Sequence, residues 1–222
     1  MRASNNSLKR LVHDEYGTVY SLTASIRNNV DRSVDYEIPR KIFHALVGGI
    51  VPLGYLMLDL SREVALGILL PAMILLVGSD LLRLVHKGFN AFYLKRFGAL
   101  MRQHEAHSLT TSTYFVLASF FVIMLFDKTT AIVALLFLAI GDPVAALFGR
   151  MFGQVRLIDG KSLEGSIACF QTCLVIGLIF LSSPWAALVA ALVATLAELI
   201  PLPVNDNIRI PVISAFILSL LV

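Results

Sequence analysis

Residues 129–148 read TTAIVALLFLAIGDPVAALF, an apolar run that is interrupted by one carboxylate, Asp142. A run of this length matches the roughly 20 residues that an α-helix needs to cross the hydrocarbon core of a bilayer. It lacks the strict alternation that is typical of a lipid-facing barrel strand. The stretch therefore predicts a membrane-spanning helix with an acidic side chain near one end.

The rest of the chain repeats this pattern. Of its 222 residues, 57% are hydrophobic and 15% are charged, whereas soluble domains carry about 25% charged residues. The apolar segments are 42–59, 64–82, 110–126, 129–148, 166–182, 185–201 and 208–222. The last is short and contains Pro211, so the count is six or seven. The predicted fold is all-α, a polytopic membrane protein with a bundle of about seven transmembrane helices.

The positive charges predict the orientation of this bundle. With seven spans, sixteen of the 18 lysines and arginines lie on one side, and only Arg62 and Lys128 lie on the other. The positive-inside rule then places the N-terminus in the cytoplasm. The net charge of +3 is interpreted as this orientation signal, so no nucleic-acid partner is expected. The expected location is a bacterial or archaeal cell membrane, or the endoplasmic reticulum of a eukaryote.

The polar N-terminal segment, residues 1–36, carries scattered apolar positions at spacings of three and four. An amphipathic helix on the cytoplasmic membrane surface and a flexible tail both explain this pattern. Residues 37–222 are expected to form one transmembrane catalytic domain, in which the polar segment 83–109 is a cytoplasmic loop.

A cationic cluster leads into the first span. Arg40 and His44 share one face of the predicted helix, and Lys41 lies beside them. Two cations at the interface can bind a phosphate, but a positive-inside anchor is the favoured interpretation of these cations taken alone. His44 favours a functional interpretation, because an imidazole just inside a span needs a partner.

Acidic residues near the ends of other spans allow two interpretations. Asp80 and Arg83 are three positions apart at the end of the second span and can form a structural ion pair. Glu198 lies near the end of the sixth span, and Asp206 and Asn207 form the turn before the seventh. Carboxylates at such positions are costly unless they pair, coordinate a cation or catalyse.

A face of small residues surrounds Asp142 on the fourth span. Ala145 and Gly149 lie on the same helix face as Asp142, Gly153 extends it, and Arg150 follows Gly149. Small residues allow tight packing between helices. The same smooth face would let the phosphates of a nucleotide approach the backbone, with Asp142 holding a divalent metal ion.

A further cluster, Lys161-Ser162-Leu-Glu164-Gly165, opens the fifth span. Its Gly-Lys-Ser start lacks the upstream glycine and the strand of a Walker A loop. Lys161 can still supply a positive charge for a phosphate, and a helix N-terminus favours anions. Helix capping by Ser162 is the alternative interpretation.

In the predicted topology these clusters converge on the cytoplasmic interface. Together they supply Asp and Glu for a metal ion and Lys and Arg for phosphates. Phosphoryl transfer depends mostly on such positioning and charge stabilisation. The second reactant would arrive from the bilayer, which predicts a lipid hydroxyl or a lipid phosphate as the acceptor.

The ordered motifs resemble the polyprenol kinase family, which contains dolichol kinases, phytol kinases and fungal CTP-dependent diacylglycerol kinases. They are Glu37-x-x-Arg40-Lys41-x-x-His44, Gly141-Asp142-x-x-Ala145-x-x-x-Gly149-Arg150-x-x-Gly153, Lys161-Ser162-x-Glu164-Gly165-Ser166 and Asp206-Asn207-x-x-x-Pro211. Glu-Ile-Pro-Arg-Lys at 37–41 and Asp80-Leu-Leu-Arg83 look most like the diacylglycerol kinase branch. The resemblance implies transfer of the γ-phosphate of CTP to a lipid alcohol with a divalent cation, Mg²⁺ or Ca²⁺. It implies that Arg40, Lys41, Asp142 and Gly149 carry activity.

The hypothesis is therefore a CTP-dependent lipid kinase acting on diacylglycerol, or else on a polyprenol such as dolichol, or on phytol. The expected metal ligands are Asp142, Asp206 and Asn207, and the candidate groups that orient or deprotonate the lipid hydroxyl are His44, Asp80 and Glu198. The expected nucleotide-binding residues are Arg40, Lys41, Gly149, Arg150, Gly153, Lys161, Ser162, Glu164 and Gly165.

Two alternatives stay open. A phosphatidate cytidylyltransferase would attack the α-phosphorus of CTP and make CDP-diacylglycerol. A transporter or structural membrane protein would explain the spans without catalysis, but a transport path should place polar residues near the midplane, and here the centres of the spans are almost purely apolar.

Overall fold

The computed structural model describes residues 41–98, 101, 105 and 107–222. Arg40 and the proposed interfacial segment 1–36 lie outside these residues. The described helices are α1 (Lys41–Met57), α2 (Arg62–Val85), α3 (Lys87–Phe97), α4 (Thr111–Leu125), α5 (Lys128–Leu136), α6 (Asp142–Met151), α7 (Leu163–Phe180), α8 (Pro184–Leu199) and α9 (Asp206–Leu221).

Each predicted span corresponds to a helix whose bounds differ by only a few residues from the expectation. Within the described residues, three helices are long and apolar enough to cross a membrane: Arg62–Val85, Lys128–Met151 and Leu163–Phe180. Three shorter apolar helices, α1, α4 and α8, accompany them. The prediction of an all-α fold is confirmed for the part of the chain that the structure describes, and three of its helices are candidate membrane spans.

Residues 129–148 form the centre of the bundle. They lie in one long helix, Lys128–Met151, and every residue from 130 to 139 is buried. α4, α7 and α9 pack against it. A helix that is apolar on all sides is stable only when it is surrounded, and here its neighbours are other helices of the protein. α2, in contrast, exposes Leu70, Ile74 and Leu75 on its outer surface.

A π-helical turn, Phe137–Gly141, joins α5 to α6 directly before Asp142. Such a turn adds one residue to the helix and rotates the side chains that follow it, and it is frequent at functional sites. Gly141 fits here because a Cβ atom would lie 2.8 Å from the sulfur of Cys173. Cys169 and Cys173 are both buried free thiols.

The expectation of a loop over the polar segment 83–109 is wrong in part, because α3 forms within it. Its N-terminus is capped by His86, whose Nδ1 accepts a hydrogen bond from the backbone N–H of Phe89 at 3.1 Å. Phe89 and Tyr93 are one turn apart and both half-buried. The helix was not predicted because the frequent charges of this segment outweighed the short aromatic repeat.

Candidate active site

Three ion pairs lie where the ends of several helices meet. They are Lys41 with Asp142, Lys161 with Glu198, and Arg209 with Asp206. The carboxylate of Glu198 also experiences the charges of Asp142 and Asp206. The three pairs therefore form one electrostatic cluster, which we call the charge cluster.

The first pair joins the beginning of α1 to α6. Nζ of Lys41 donates to Oδ2 of Asp142 at 2.7 Å, and the two side chains are 12% and 10% exposed. Removing either partner would leave a nearly buried charge uncompensated, which is strongly unfavourable. Both groups still reach the surface, so a charged ligand can contact them.

The second pair, Lys161 with Glu198, joins the connection between α6 and α7 to the C-terminal end of α8. Nζ of Lys161 lies 2.8 Å from Oε1 of Glu198 and also donates to the main-chain oxygen of Glu198. Nη2 of Arg209 is 3.4 Å from the same main-chain oxygen. The carbonyl groups at a helix C-terminus carry partial negative charge and attract cations. The end of α8 thus brings Lys161 and Arg209 together.

Arg209 was not among the sequence-predicted site residues. It is 4% exposed and pairs with Asp206 three positions earlier on α9. Its Nε atom is buried and has no hydrogen-bond partner among the described residues. The spacing of three between an acid and a base was the available signal, but it is equally common in structural pairs.

The small-residue face of α6 packs directly on α7. A Cβ atom on Gly149 would lie 2.7 Å from Oγ of Ser162, and one on Gly165 would lie 2.5 Å from the main-chain oxygen of Ala145. A Cβ on Gly153 would also collide with Ser162. Gly149 and Gly165 therefore allow backbone-to-backbone contact between the two helices. Their predicted contact with phosphates stays a prediction, as does that of Arg150 at the exposed end of α6.

The connection between α6 and α7 is held in place by its own polar groups. Oγ of Ser162 caps α7 by accepting from the backbone N–H of Gly165 at 3.1 Å, and Oε1 of Glu164 accepts from that of Val155 at 3.2 Å. Asp159 and Gly160 have positive φ angles of 56° and 77°, which turn the chain back. This arrangement presents Lys161 to Glu198.

Asp80 lies in a buried network of its own near the C-terminal end of α2. Asp80 and Arg83 are each 1% exposed. Oδ1 of Asp80 accepts from Nε of Arg83 at 2.7 Å, and Oδ2 accepts from the backbone N–H of Thr110 and the hydroxyl of Thr113, both at 2.7 Å. Arg83 also donates to the main-chain oxygen of Glu105 at 2.7 Å. Both carboxylate oxygens are engaged, which favours the structural-pair interpretation.

Two further predicted residues stand beside the charge cluster. His44 follows Lys41 by three positions on α1, is half-buried, and meets the ring of Phe115 edge-on at 6.1 Å. The side-chain amide of Asn207 donates to the main-chain oxygen of Thr111 at 2.9 Å. This bond ties the beginning of α9 to α4 and holds the neighbouring Asp206 in place.

The oxygen donors of the charge cluster suit a divalent cation that enters with a nucleotide. Among the described residues, no group of three or more His, Cys, Asp or Glu side chains lies close enough together to hold a metal ion alone. Mg²⁺, however, is usually bound by one or two carboxylates together with substrate phosphates. Asp142 and Asp206 fit that description.

Comparison with known proteins identifies the family. No family model matches the chain, and no solved structure gives a significant match. The chain is 31% identical over 212 residues to CTP-dependent diacylglycerol kinase 1 of Saccharomyces cerevisiae, covering 83% of this chain and 73% of that protein. It is 29% identical over 215 residues to the protein of the same name in Eremothecium gossypii, covering 84% and 68%. For the protein of that name in Schizosaccharomyces pombe, the identity is 26% over 212 residues, covering 85% and 95%.

Each of these alignments covers more than four fifths of the chain. The resemblance inferred from the motifs is confirmed, and the chain belongs to the CTP-dependent diacylglycerol kinases of the polyprenol kinase family.

Proposed function

We propose that this chain transfers the γ-phosphate of CTP to the hydroxyl group of diacylglycerol, with phosphatidate and CDP as products. The observation that carries the proposal is the charge cluster, in a chain related over most of its length to CTP-dependent diacylglycerol kinases. Its cations suit a triphosphate, and its position at the ends of membrane helices suits a lipid acceptor.

Each cation of the charge cluster is paired with a carboxylate, so the cluster is close to neutral before a nucleotide arrives. The phosphates of CTP compete with the carboxylates for Lys41 and Lys161, because charge-assisted hydrogen bonds to phosphate are strong. Release of Lys41 then makes the carboxylate of Asp142 available to a divalent cation. Asp206, whose side chain is 33% exposed beside Arg209, is the second proposed carboxylate ligand. Such a cation, Mg²⁺ or Ca²⁺, would neutralise charge on the phosphate oxygens when bound. Arg40, outside the described residues, is a further proposed phosphate ligand.

In the proposed reaction the hydroxyl oxygen of the lipid attacks the γ-phosphorus. The bond from that phosphorus to the oxygen bridging the β- and γ-phosphates breaks, and CDP leaves with the electron pair. The hydroxyl proton passes to a basic side chain. Glu198 is a candidate because it belongs to the charge cluster, and His44 because it follows the cluster residue Lys41 by about one helical turn. The oxygens of Asp80 are engaged in their own network.

We further propose seven spans with the N-terminus and the charge cluster on the cytoplasmic side. The support is the unequal distribution of Lys and Arg along the sequence. CTP is then drawn from the cytosol while diacylglycerol enters from the bilayer. In a eukaryote the expected membrane is that of the endoplasmic reticulum.

Labelled CTP tests the reaction. The full chain in lipid vesicles containing both diacylglycerol and unlabelled phosphatidate is given CTP labelled at either the α- or the γ-phosphate, and the lipid fraction is analysed. Label in phosphatidate from γ-labelled CTP alone supports the kinase. Label in lipid only from α-labelled CTP would establish the cytidylyltransferase alternative, and label from neither would favour a transporter or a structural protein.

A further inference from the structure

α3 presents two different faces. Phe89 and Tyr93 face the protein, and the ring of Tyr93 stacks on the guanidinium of Arg83 with 5.5 Å between ring centre and Cζ. Lys87, Lys95 and Arg96 are exposed, and the ring of Phe92 between them is 62% exposed. Lys95 and Arg96 follow Phe92 by three and four positions, so both cations flank this ring on the helix surface.

The charge on the outer face is not compensated within the part of the chain that the structure describes. The eleven residues of α3 include three cations and no acid. None of these cations forms an ion pair or hydrogen bond with another described residue. Three uncompensated cations on one short helix create a positive local potential, so the outer face favours a negatively charged partner.

The position of α3 indicates what that partner is. One residue, His86, separates it from the membrane-spanning helix α2. The last turn of α2 is apolar on its outside, with Leu81, Leu82 and Val85 exposed. α3 therefore begins where the lipid-facing surface ends, at the level of the headgroups. An exposed aromatic ring among cations is typical of helices that lie in the membrane interface.

We propose that the outer face of α3 binds the headgroups of anionic phospholipids in the leaflet next to the charge cluster. Phe92 inserts between the acyl chains near the headgroups, and Lys87, Lys95 and Arg96 bind the phosphates around it. This inference is independent of the proposed reaction, because it requires neither CTP nor catalysis. Each cation should raise the local preference for anionic over neutral lipid by about fivefold at low salt.

A tryptophan at position 92 reports on this face directly. The full chain contains one tryptophan, Trp185, which is exposed at the beginning of α8. The double variant F92W/W185F is placed in neutral phosphatidylcholine vesicles that contain a small fraction of brominated lipid. In one set the bromine is carried by phosphatidylserine, and in the other by phosphatidylcholine. The ratio of fluorescence quenching between the two sets measures the lipid preference near α3.

We expect a quenching ratio several-fold above one, falling toward one in high salt. The added substitutions K87Q/K95Q/R96Q should also bring it to about one, whereas K87R/K95R should preserve it. The wild-type chain should show a quenching ratio of about one. Its Trp185 lies at the N-terminal end of α8, whereas the charge cluster residue Glu198 lies at the C-terminal end. R156Q, which removes an exposed cation elsewhere, should leave the ratio at position 92 unchanged.

A ratio near one for F92W/W185F in low salt would overturn the proposal. A raised ratio that neither salt nor K87Q/K95Q/R96Q lowers would overturn it as well, because the preference would then not be electrostatic. The salt test uses the chain with its α3 cations intact, so it remains decisive if the triple variant fails to fold. If the wild-type chain shows no kinase activity while F92W/W185F keeps a raised quenching ratio, the proposed reaction is contradicted and the lipid-binding proposal is not.

Discussion

Lys41 and Asp142 are separated by 101 positions in the sequence, yet their Nζ and Oδ2 atoms lie 2.7 Å apart. The contact joins the first described helix to the central one. It also brings together the two residue types that phosphoryl transfer needs, a cation for phosphate and a carboxylate for a divalent cation.

Replacing Lys41 by glutamine should lower kcat by about 100- to 1,000-fold, the usual effect of removing one group that stabilises charge in the transition state. The assay is transfer of γ-label to diacylglycerol at saturating CTP. The matched control is Lys128→Gln. Lys128 also pairs with an aspartate, at 2.6 Å, but that partner, Asp59, is 95% exposed. Exposed pairs contribute about 0–1 kcal/mol, so this variant should stay within about twofold of wild type. Equal effects of the two substitutions would contradict a special role for Lys41.

Replacing Lys161 by methionine should mainly weaken the binding of CTP. A hydrogen bond to a charged group contributes about 1.5–3 kcal/mol, so kcat/KM for CTP should fall by roughly ten- to 100-fold, with most of the change in KM. Arg156→Gln removes an exposed cation in the same connection, whose Nη1 donates to the main-chain oxygen of Gly160 at 3.2 Å, and it should have little effect. A fall in kcat at unchanged KM would instead mean that Lys161 stabilises the transition state and does not contribute to the binding of CTP in the ground state.

The glycines between α6 and α7 should differ from one another in their tolerance of alanine. Gly165→Ala should be severely destabilising, because the added Cβ lies 2.5 Å from a backbone oxygen that cannot move independently. Gly149→Ala meets the hydroxyl of Ser162 at 2.7 Å, so adding Ser162→Ala should restore part of the lost stability, less about 1 kcal/mol for the lost helix cap.

Thermal unfolding in detergent measures these differences. Gly67→Ala on α2 is the control, since nothing lies within 4 Å of a Cβ there. It should be neutral or stabilising by up to about 1 kcal/mol, because alanine is the better helix former. If Gly165→Ala unfolds at the temperature of the control, the close contact between α6 and α7 is incorrect.

The spans were predictable from sequence because apolar length alone determines which segments can cross a bilayer. The side-chain pairing was not. Asp142 and Glu198 were recognised as costly charges, but their partners Lys41 and Lys161 lie 101 and 37 positions away, and such contacts depend on how the helices pack. Local spacing suggested the pairing of Asp80 with Arg83. It did not indicate the hydrogen bonds that Thr110 and Thr113 donate to Asp80.

Two features, α3 and the π-helical turn before Asp142, were not predicted from the sequence, for different reasons. α3 is short and highly charged, so its aromatic repeat was outweighed by its polarity. The π-helical turn before Asp142 leaves no mark in the composition, because glycine in an apolar helix is also common in ordinary helix packing. Both features depend on neighbouring elements, namely Arg83 for α3 and Cys173 for the turn at Gly141.

Asp80→Asn should reduce stability far more than catalysis. It leaves the buried guanidinium of Arg83 without its counter-charge, which costs about 3–5 kcal/mol. Activity per folded molecule should stay within a few-fold of wild type, as measured by γ-label transfer normalised to the folded fraction. The double variant Asp80→Leu with Arg83→Met should be less destabilised than Asp80→Asn, because no buried charge remains. Loss of activity in a fully folded Asp80→Asn protein would return Asp80 to the list of catalytic candidates.

The most direct test of the central claim is the rate of γ-label transfer by Asp142→Asn, measured against Mg²⁺ concentration with the folded amount matched to wild type. Asparagine has nearly the same shape but lacks the charge that a divalent cation needs. We expect no detectable transfer by wild type after removal of divalent cations with a chelator, and restoration by added Mg²⁺. Asp142→Asn should stay at least about 100-fold slower at every Mg²⁺ concentration. Transfer by folded Asp142→Asn at the wild-type rate, with the same Mg²⁺ dependence, would contradict the assignment of the active site to the charge cluster.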